Sequence, residues 1–394
     1  MKDTDKIVVL EGARTPIGSF GGSLKDVEAH ELGATAVRAA IQRAGIGGSD
    51  VEEVVMGCIG QVGPDAYNAR RVALAAGLPT SIPAYTVNRL CGSGLQAVWS
   101  AAMQMRWAGL DFTVAGGNES MTHMPFYDFG ARVGYRIGDR ILVDGTVAML
   151  TDPFNNIHMG VTAENVARTY GISREEQDEF ALESQRRAST DAARAVFAEE
   201  ITPVDVGGRK PHTVSVDEHP RPDTTAQMLA GLRPVFEREG TVTAGNASGI
   251  NDGGAAVVLA RAGAAADRGL KGLATLEAVT TAALDPALMG YAPTLALHKL
   301  FDQTGMTPAD IDIVELNEAF AAQAVAVMRD AKLDPEKTNP YGGAIALGHP
   351  VGATGAMLSL RVAKDLVRRD LEFGIVTMCI GGGQALAALF RRVS

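Results

Sequence analysis

The chain has 394 residues, 46% of them hydrophobic and 21% charged, and carries a net charge of −10. That size and balance describe a globular protein able to build two or three cores, and argue against an intrinsically disordered chain. The acidic surplus argues against nucleic acid as a partner, which needs a basic field, so an anionic ligand would have to be held by local cations.

Residues 1–6 lead at once into a strand-like run, Ile7-Val8-Val9-Leu10, which leaves no room for a signal or transit peptide. The last four residues, Arg391-Arg392-Val393-Ser394, are not a peroxisomal address, and no stretch is as long as a membrane span. Cys58, Cys91 and Cys379 are too few and too scattered for a disulfide framework or a metal site, so a reducing cytoplasm is expected.

Strand 51–57, helix 68–76 and the apolar run Ala84-Tyr85-Thr86-Val87 follow. That run turns through Asn88-Arg89-Leu90 into Cys91-Gly92-Ser93-Gly94 and then a helical pattern in which Leu95, Val98, Trp99 and Ala102 share one face. A sulfur at a helix N-terminus meets free N–H groups and the positive end of the macrodipole, which favour the thiolate. From its neighbours alone, Cys91 is as readily a small apolar residue closing a helix–sheet contact as a nucleophile. A strand over 112–117 completes an alternating α/β order.

Residues 119–244 have a different texture. Met121, His123, Met124, Phe126 and Tyr127 open the stretch, and a polar helix begins with Ser173 and Glu176 at capping-box spacing. The charges Glu175, Glu176, Asp178, Glu179, Arg186 and Arg187 read as a solvated surface. In His219-Pro220-Arg221-Pro222-Asp223, Arg221 is a cation on a proline-stiffened loop. The small-residue stretch 244–249 could let a slender ligand lie against the backbone.

The first order then recurs. A strand over 311–316 ends in Asn317-Glu318-Ala319-Phe320, and a glycine-rich turn through His349 enters a helix from about Gly352. A strand over 373–378 ends in Cys379-Ile380-Gly381-Gly382-Gly383. Positions 54, 91 and 114 answer to 314, 349 and 376, offsets of 260, 258 and 262 residues, which indicates a duplicated α/β unit with one reactive turn per copy. His349 stands among residues with almost no side chain; it can serve as base to a nearby thiol, and its protonated form would favour the thiolate. Free N–H groups beside Cys379 could form an oxyanion hole.

Asn88-Arg89-Leu90-Cys91-Gly92-Ser93-Gly94, Asn317-Glu318-Ala319-Phe320, Gly348-His349-Pro350 and Cys379-Ile380-Gly381-Gly382-Gly383, in that order and spacing, resemble the four active-site blocks of the thiolase family. The resemblance covers essentially the whole chain. His158-Met159-Gly160 and Asn246-Ala247-Ser248-Gly249 further resemble the acetyl-CoA acetyltransferase and broad-range β-ketothiolase branch.

The resemblance implies a thiolase fold of class α/β: duplicated halves in an αβαβα five-layer arrangement, with an inserted loop domain. The N-terminal half would comprise 1–118 and 245–272, the loop domain covering coenzyme A 119–244, and the C-terminal half 273–394. Cys91 would take an acyl group after passing its proton to His349. Cys379 would remove the α-proton of a second acyl-CoA, whose carbanion attacks the acyl-Cys91 thioester to give a 3-ketoacyl-CoA; thiolysis runs backwards. His349 and a water held by Asn317 would stabilise the enolate, and the N–H groups of Cys91 and Gly381 the tetrahedral oxyanion. Arg221 and Ser248 would contact coenzyme A, with His158, Met159, Ala247 and Phe320 along its thioester and pantetheine end. Coenzyme A would be substrate and product, with no permanently bound cofactor, no metal, and neither nucleic acid nor membrane as partner.

Residues 121–136 resemble the family's tetramerisation loop, which implies a homotetramer built as a dimer of dimers. Asn118, Gln227 and Gln384 depart from the commonest pattern, and Gln384 with Thr151-Asp152-Pro153-Phe154 resembles members that take longer acyl chains. Two rival readings share the scaffold. One is a decarboxylating 3-ketoacyl synthase, which normally has His in place of Cys379; the other is a non-catalytic acyl-CoA or lipid binder, which has no need of Cys91, Asn317, His349 and Cys379 together.

Overall fold

The computed structural model describes residues 3–393; the terminal readings that rest on Met1, Lys2 and Ser394 lie outside them. The first run of elements is β1 (Ile7–Arg14), α1 (Ala29–Ala44), β2 (Glu53–Gly57), α2 (Asn68–Ala75), β3 (Ala84–Val87), α3 (Ser93–Ala108) and β4 (Phe112–Ser120). Within the intervening segment lie α4 (Met159–Tyr170), α5 (Arg174–Ala188) and α6 (Asp191–Glu200). The chain then continues through β5 (Asn251–Arg261), β6 (Ala274–Ala283), α7 (Ala292–Thr304), β7 (Ile313–Leu316), α8 (Ala321–Asp330), α9 (Thr354–Arg368), β8 (Phe373–Ile380) and β9 (Gln384–Arg392).

Strand pairing makes the duplication explicit. On one side the order β1-β5-β4-β2-β3 runs antiparallel, antiparallel, parallel, parallel. On the other, β6-β9-β8-β7 runs antiparallel, antiparallel, parallel, and Val314 adds a parallel bridge to Thr338. The two series join where Val8 and Val9 of β1 pair with Thr275 and Ala274 of β6.

Three apolar cores define the layers. Helices α1 and α2 bury Val37, Ile41 and Val72 against β2 and β4. On the far face, α7 and α8 bury Leu297, Leu300 and Val327 against β7 to β9. Between the sheets, Leu95, Val98 and Met105 of α3 meet Leu360, Val362 and Leu366 of α9 in one core with strands of both series. The result is the αβαβα stack that the resemblance implies. At about 1.5–3 kcal/mol for each large side chain withdrawn from water, the central layer is the main hydrophobic reason the halves stay together.

Glycine lets the two central helices approach closely. A Cβ on Gly94 would stand 2.7 Å from the Ala356 nitrogen, and one on Gly355 would stand 2.2 Å from the Leu95 nitrogen. The first turns of α3 and α9 are therefore in backbone contact, which sets the segments preceding them side by side.

Element starts differ slightly from the sequence expectation. The strands expected from 51 and 311 begin at Glu53 and Ile313 because 48–50 and 308–310 form single 3-10 turns. Both turns are closed in the same way: Asp50 accepts from Gly47 N–H at 2.7 Å and Asp310 from Thr307 N–H at 2.8 Å. The α5 capping box forms as the spacing predicts, with Ser173 N–H on Glu176 at 2.7 Å and Glu176 N–H on Ser173 at 3.1 Å. Its charges are not all solvated. Half-buried Asp178 accepts from Asn246 Nδ2 at 2.9 Å, and Arg187 donates to the Thr338 carbonyl at 2.7 Å.

A buried ion cluster ties α6 to the sheets. Glu200 takes Arg14 Nε of β1 at 2.8 Å and Arg361 Nε of α9 at 3.0 Å, while Arg14 also grips Asp217 through two contacts of 2.7 and 2.9 Å. Burial would raise Glu200, but Arg361 and Arg14 outweigh it and hold the carboxylate at about 2. Glu315 on β7 lies 3.8 Å from the same Arg361. There burial dominates, and the carboxyl is pushed up to about 8.

Two outcomes follow from this packing. Gly355→Ala should lose at least the roughly 1–3 kcal/mol typical of overpacking in chemical denaturation, because its methyl would displace backbone. For Glu315, the unfolded chain ionises above pH 4.5 while the folded one stays protonated to about pH 8, so wild type loses stability across that window. Glu315→Gln should therefore gain on wild type as pH rises from 4.5 to 8 and level off above; a pH-independent difference between the two denaturation curves would contradict this.

Candidate active site

The turn between β3 and α3 is forced into an uncommon shape. Leu90 has φ 46°, a left-handed conformation that costs a bulky residue on the order of 1–3 kcal/mol. Hydrogen bonds hold it there: Leu90 N–H to Asn88 Oδ1 at 3.0 Å, Arg89 N–H to Ser93 Oγ at 2.9 Å, and Ser93 Oγ–H to the Leu90 carbonyl at 2.6 Å. Cys91, half-buried, is thereby presented just ahead of the first turn of α3.

The matching turn of the second copy presents His349. Its backbone N–H donates to Asn251 Oδ1 at 2.9 Å, and Gly348, at φ 98°, lies so close to Asn251 that a Cβ would stand 2.5 Å from its amide carbon. The ring is buried, with Nδ1 at 2.6 Å from Thr354 Oγ1 and Nε2 at 3.4 Å from Asn317 Nδ2. Asn317 Oδ1 is buried without a partner.

Cys379 is the last but one residue of β8 and is fully buried. The Gln323 amide lies 3.4 Å from its sulfur. In the orientation that satisfies both ends of that amide, Nε2 donates to the Asn317 carbonyl at 3.0 Å and Oε1 accepts from Ala324 N–H at 2.8 Å, so Nε2 faces the sulfur.

These turns open on one cavity of about 310 Å³. Cys91, His349, Cys379, His158, Met159, Ala247, Ser248 and Phe320 all line it. Asn317 stands behind, against His349. The Gly381 N–H points at the Cys91 sulfur and favours its ionised form. Arg221 lies apart on an exposed loop, where its backbone N–H donates to Gln185. Gln227, also exposed, sits on a short helix over Ala226–Ala230. At the cavity wall, His158 accepts the Gly160 N–H at 3.1 Å and stacks on Phe236 with ring centres 4.8 Å apart, which anchors the start of α4.

Several lining or bracing residues carried no sequence signal. Leu150, Phe236, Met289 and Val351 complete the apolar wall. Buried Glu119 accepts from the Ile59 and Gly60 N–H groups at 3.0 and 2.8 Å and braces the end of β2. Only the match between Asn251, opening β5, and the second-copy turn could have flagged that residue, and that match exists in space alone.

The electrostatics correct one expectation. The helix N-terminus is expected to raise the thiolate fraction of Cys91; instead burial pushes its thiol up to about 11, and the Gly381 and Cys91 N–H groups offset this only in part. Burial likewise lowers His349 to about 4, so the imidazole is neutral at neutral pH. Burial, with the neighbouring Cys91 adding to it, pushes Cys379 higher still. Desolvation outweighs the dipole because both sulfur atoms lie in a mostly apolar wall.

Comparison with known proteins gives a consistent result. The description "Thiolase, N-terminal domain" matches residues 7–263 and "Thiolase, C-terminal domain" residues 270–392. The chain is 50% identical over 393 residues to a beta-ketothiolase, BktB, of Cupriavidus necator, covering 99% of this chain and 100% of that protein. The crystal structure of the Bacillus anthracis acetyl-CoA acetyltransferase superposes with a TM-score of 0.97 at 42% identity, covering 99% of both chains. Human mitochondrial 3-ketoacyl-CoA thiolase in complex with CoA superposes with a TM-score of 0.95 at 39% identity, covering 99% of this chain and 98% of that one.

A neutral thiol beside a neutral imidazole has a kinetic signature. Alkylation of Cys91 by iodoacetamide should keep rising with pH from 7 toward its value of about 11. A plateau reached by pH 7 would reveal a stable thiolate–imidazolium pair instead.

Proposed function

The chain belongs to the thiolase family, and from that premise we propose that an acyl group carried on Cys91 links its two half-reactions. The protein is an acyltransferase that joins acyl-CoA units by reversible Claisen condensation to 3-ketoacyl-CoA, or cleaves 3-ketoacyl-CoA by thiolysis, with coenzyme A as product or substrate.

The convergence of Cys91, His349 and Cys379 on one cavity supports the following route. The Cys91 thiol gives its proton to His349 Nε2 as the sulfur attacks the thioester carbonyl. The N–H groups of Cys91 and Gly381 receive the tetrahedral oxyanion. Collapse expels the coenzyme A thiolate, which takes the Cys379 proton and leaves Cys379 ionised beside a cationic His349. That thiolate is a strong base because burial raises its proton affinity. It removes the α-proton of a second acyl-CoA, while the His349 cation and a water held by Asn317 stabilise the enolate. Attack of the enolate carbon on acyl-Cys91 forms the new C–C bond and releases the Cys91 thiolate, which recovers its proton from His349. Both cysteines and the imidazole end as they began.

Ser248, Ala247, His158, Met159 and Phe320 are proposed to receive the pantetheine end, and Arg221 the nucleotide, with residues 119–244 covering the ligand. We also infer a homotetramer, a dimer of dimers; Phe126, Phe129, Val133, Ile137 and Ile141, all exposed in the 126–142 segment, support it. A cytoplasmic setting is supported by three free thiols.

Intact-mass measurement after mixing with acetyl-CoA should find one acetyl adduct, absent from Cys91→Ala. His349→Ala should lower kcat by roughly 10²-fold or more, the scale of one lost oxyanion donor. Near-normal turnover in that variant would overturn the assignment, and release of carbon dioxide from a malonyl thioester would favour the decarboxylating alternative.

A further inference from the structure

His349 can accept the Cys91 proton only if Nε2 carries a lone pair, so the neutral ring must hold its proton on Nδ1. Resting on the reading of His349 as that acceptor, we propose that Thr354 is the positioning residue that selects this tautomer.

Thr354 opens α9, five residues after His349, and both side chains are buried. Its Oγ1 lies 2.6 Å from His349 Nδ1 and 3.1 Å from the Pro350 carbonyl oxygen. The latter is the usual back-bond of a helical threonine to the carbonyl four residues earlier, here an oxygen that also receives the Ala353 and Thr354 N–H groups. A hydroxyl has one proton and a carbonyl can only accept. With that proton on Pro350, Oγ1 meets Nδ1 as an acceptor, and the chain Nδ1–H to Oγ1–H to carbonyl runs in one direction. Reversing it would turn the Oγ1 lone pairs toward the carbonyl. It would also set Nε2–H against the Asn317 amide hydrogens, since Asn317 Nδ2 is 3.4 Å from Nε2. Both ends of the ring therefore favour the same tautomer: Nδ1 protonated, Nε2 bare. Because the ring is buried, these contacts rather than solvent decide its orientation.

Thr354→Val keeps the shape and removes the hydroxyl; Thr354→Ser keeps the hydroxyl. With acetoacetyl-CoA and coenzyme A as substrates, Thr354→Val should lower kcat by about 10–100-fold with KM unchanged, the scale of partners that orient a functional imidazole, and Thr354→Ser should stay within about threefold of wild type. Side-chain 15N spectra should show His349, identified by its loss in His349→Ala, with Nδ1 protonated in wild type and the Nε2 tautomer gaining population in Thr354→Val. Wild-type kcat in Thr354→Val, equal impairment of both variants, or an Nε2-protonated ring in wild type would each overturn the proposal. Should His349→Ala lose turnover while Thr354→Val keeps it, only the role of Thr354 fails. Should His349→Ala itself turn over normally, the catalytic reading fails and takes this one with it.

Discussion

The contact between the first turns of α3 and α9 is the constraint on which the rest depends. Helices normally pack with axes 8–10 Å apart because side chains intervene. Here Gly94 and Gly355 remove those side chains, and backbone rests on backbone. The segments that enter the two helices carry Cys91 and His349. Their meeting is thus a consequence of how closely the duplicated halves interlock, and the same central layer holds the largest continuous apolar core.

Closure of that layer also decides the electrostatics. A thiol and an imidazole in water would titrate within a few units of neutrality. Buried together, each keeps its neutral form, and Cys379 keeps its proton more firmly still. In the proposed chemistry this is useful, since a thiolate made at Cys379 has few solvent contacts to dull its basicity and an oxyanion is met by fixed N–H groups rather than by reorganising water. With all three groups neutral at rest, the proposed route creates charge only transiently, where the N–H donors already stand.

The inserted segment is fastened from below by charge and from above by aromatic and amide contacts. Glu200 of α6 is held by guanidiniums from β1 and α9, both of which also lie over the Phe197 ring at 5.4 and 5.1 Å. On the cavity side His158 stacks on Phe236, while Asp178 holds Asn246 of the small-residue stretch 244–249. Removing one member of the buried cluster would strand its partners without water, which is why such a cluster fixes one placement of α6 rather than several.

Much of this was legible in the order of residues. Alternating strand and helix patterns, the recurrence near 260 residues and the glycine-rich turns around Cys91, His349 and Cys379 are local properties: a short stretch of backbone either can or cannot form a sharp turn into a helix. Thr354, Asn251 and Gln323 were not legible as parts of the site, although Thr354 stands within the very turn that drew notice to His349. Their meaning lies in which atom faces which: one hydroxyl against Nδ1, one amide oxygen receiving the His349 N–H across 98 residues, another amide facing Cys379. Nor could the protonation states be read, because the helix-terminus argument leaves out desolvation, which outweighs the N–H groups at Cys91. Sequence by itself determined the elements, their repetition and the reactive turns, because those follow from local backbone and side-chain chemistry. Tertiary structure alone decided which turns meet and which of their groups are charged, because both depend on how completely distant segments exclude water.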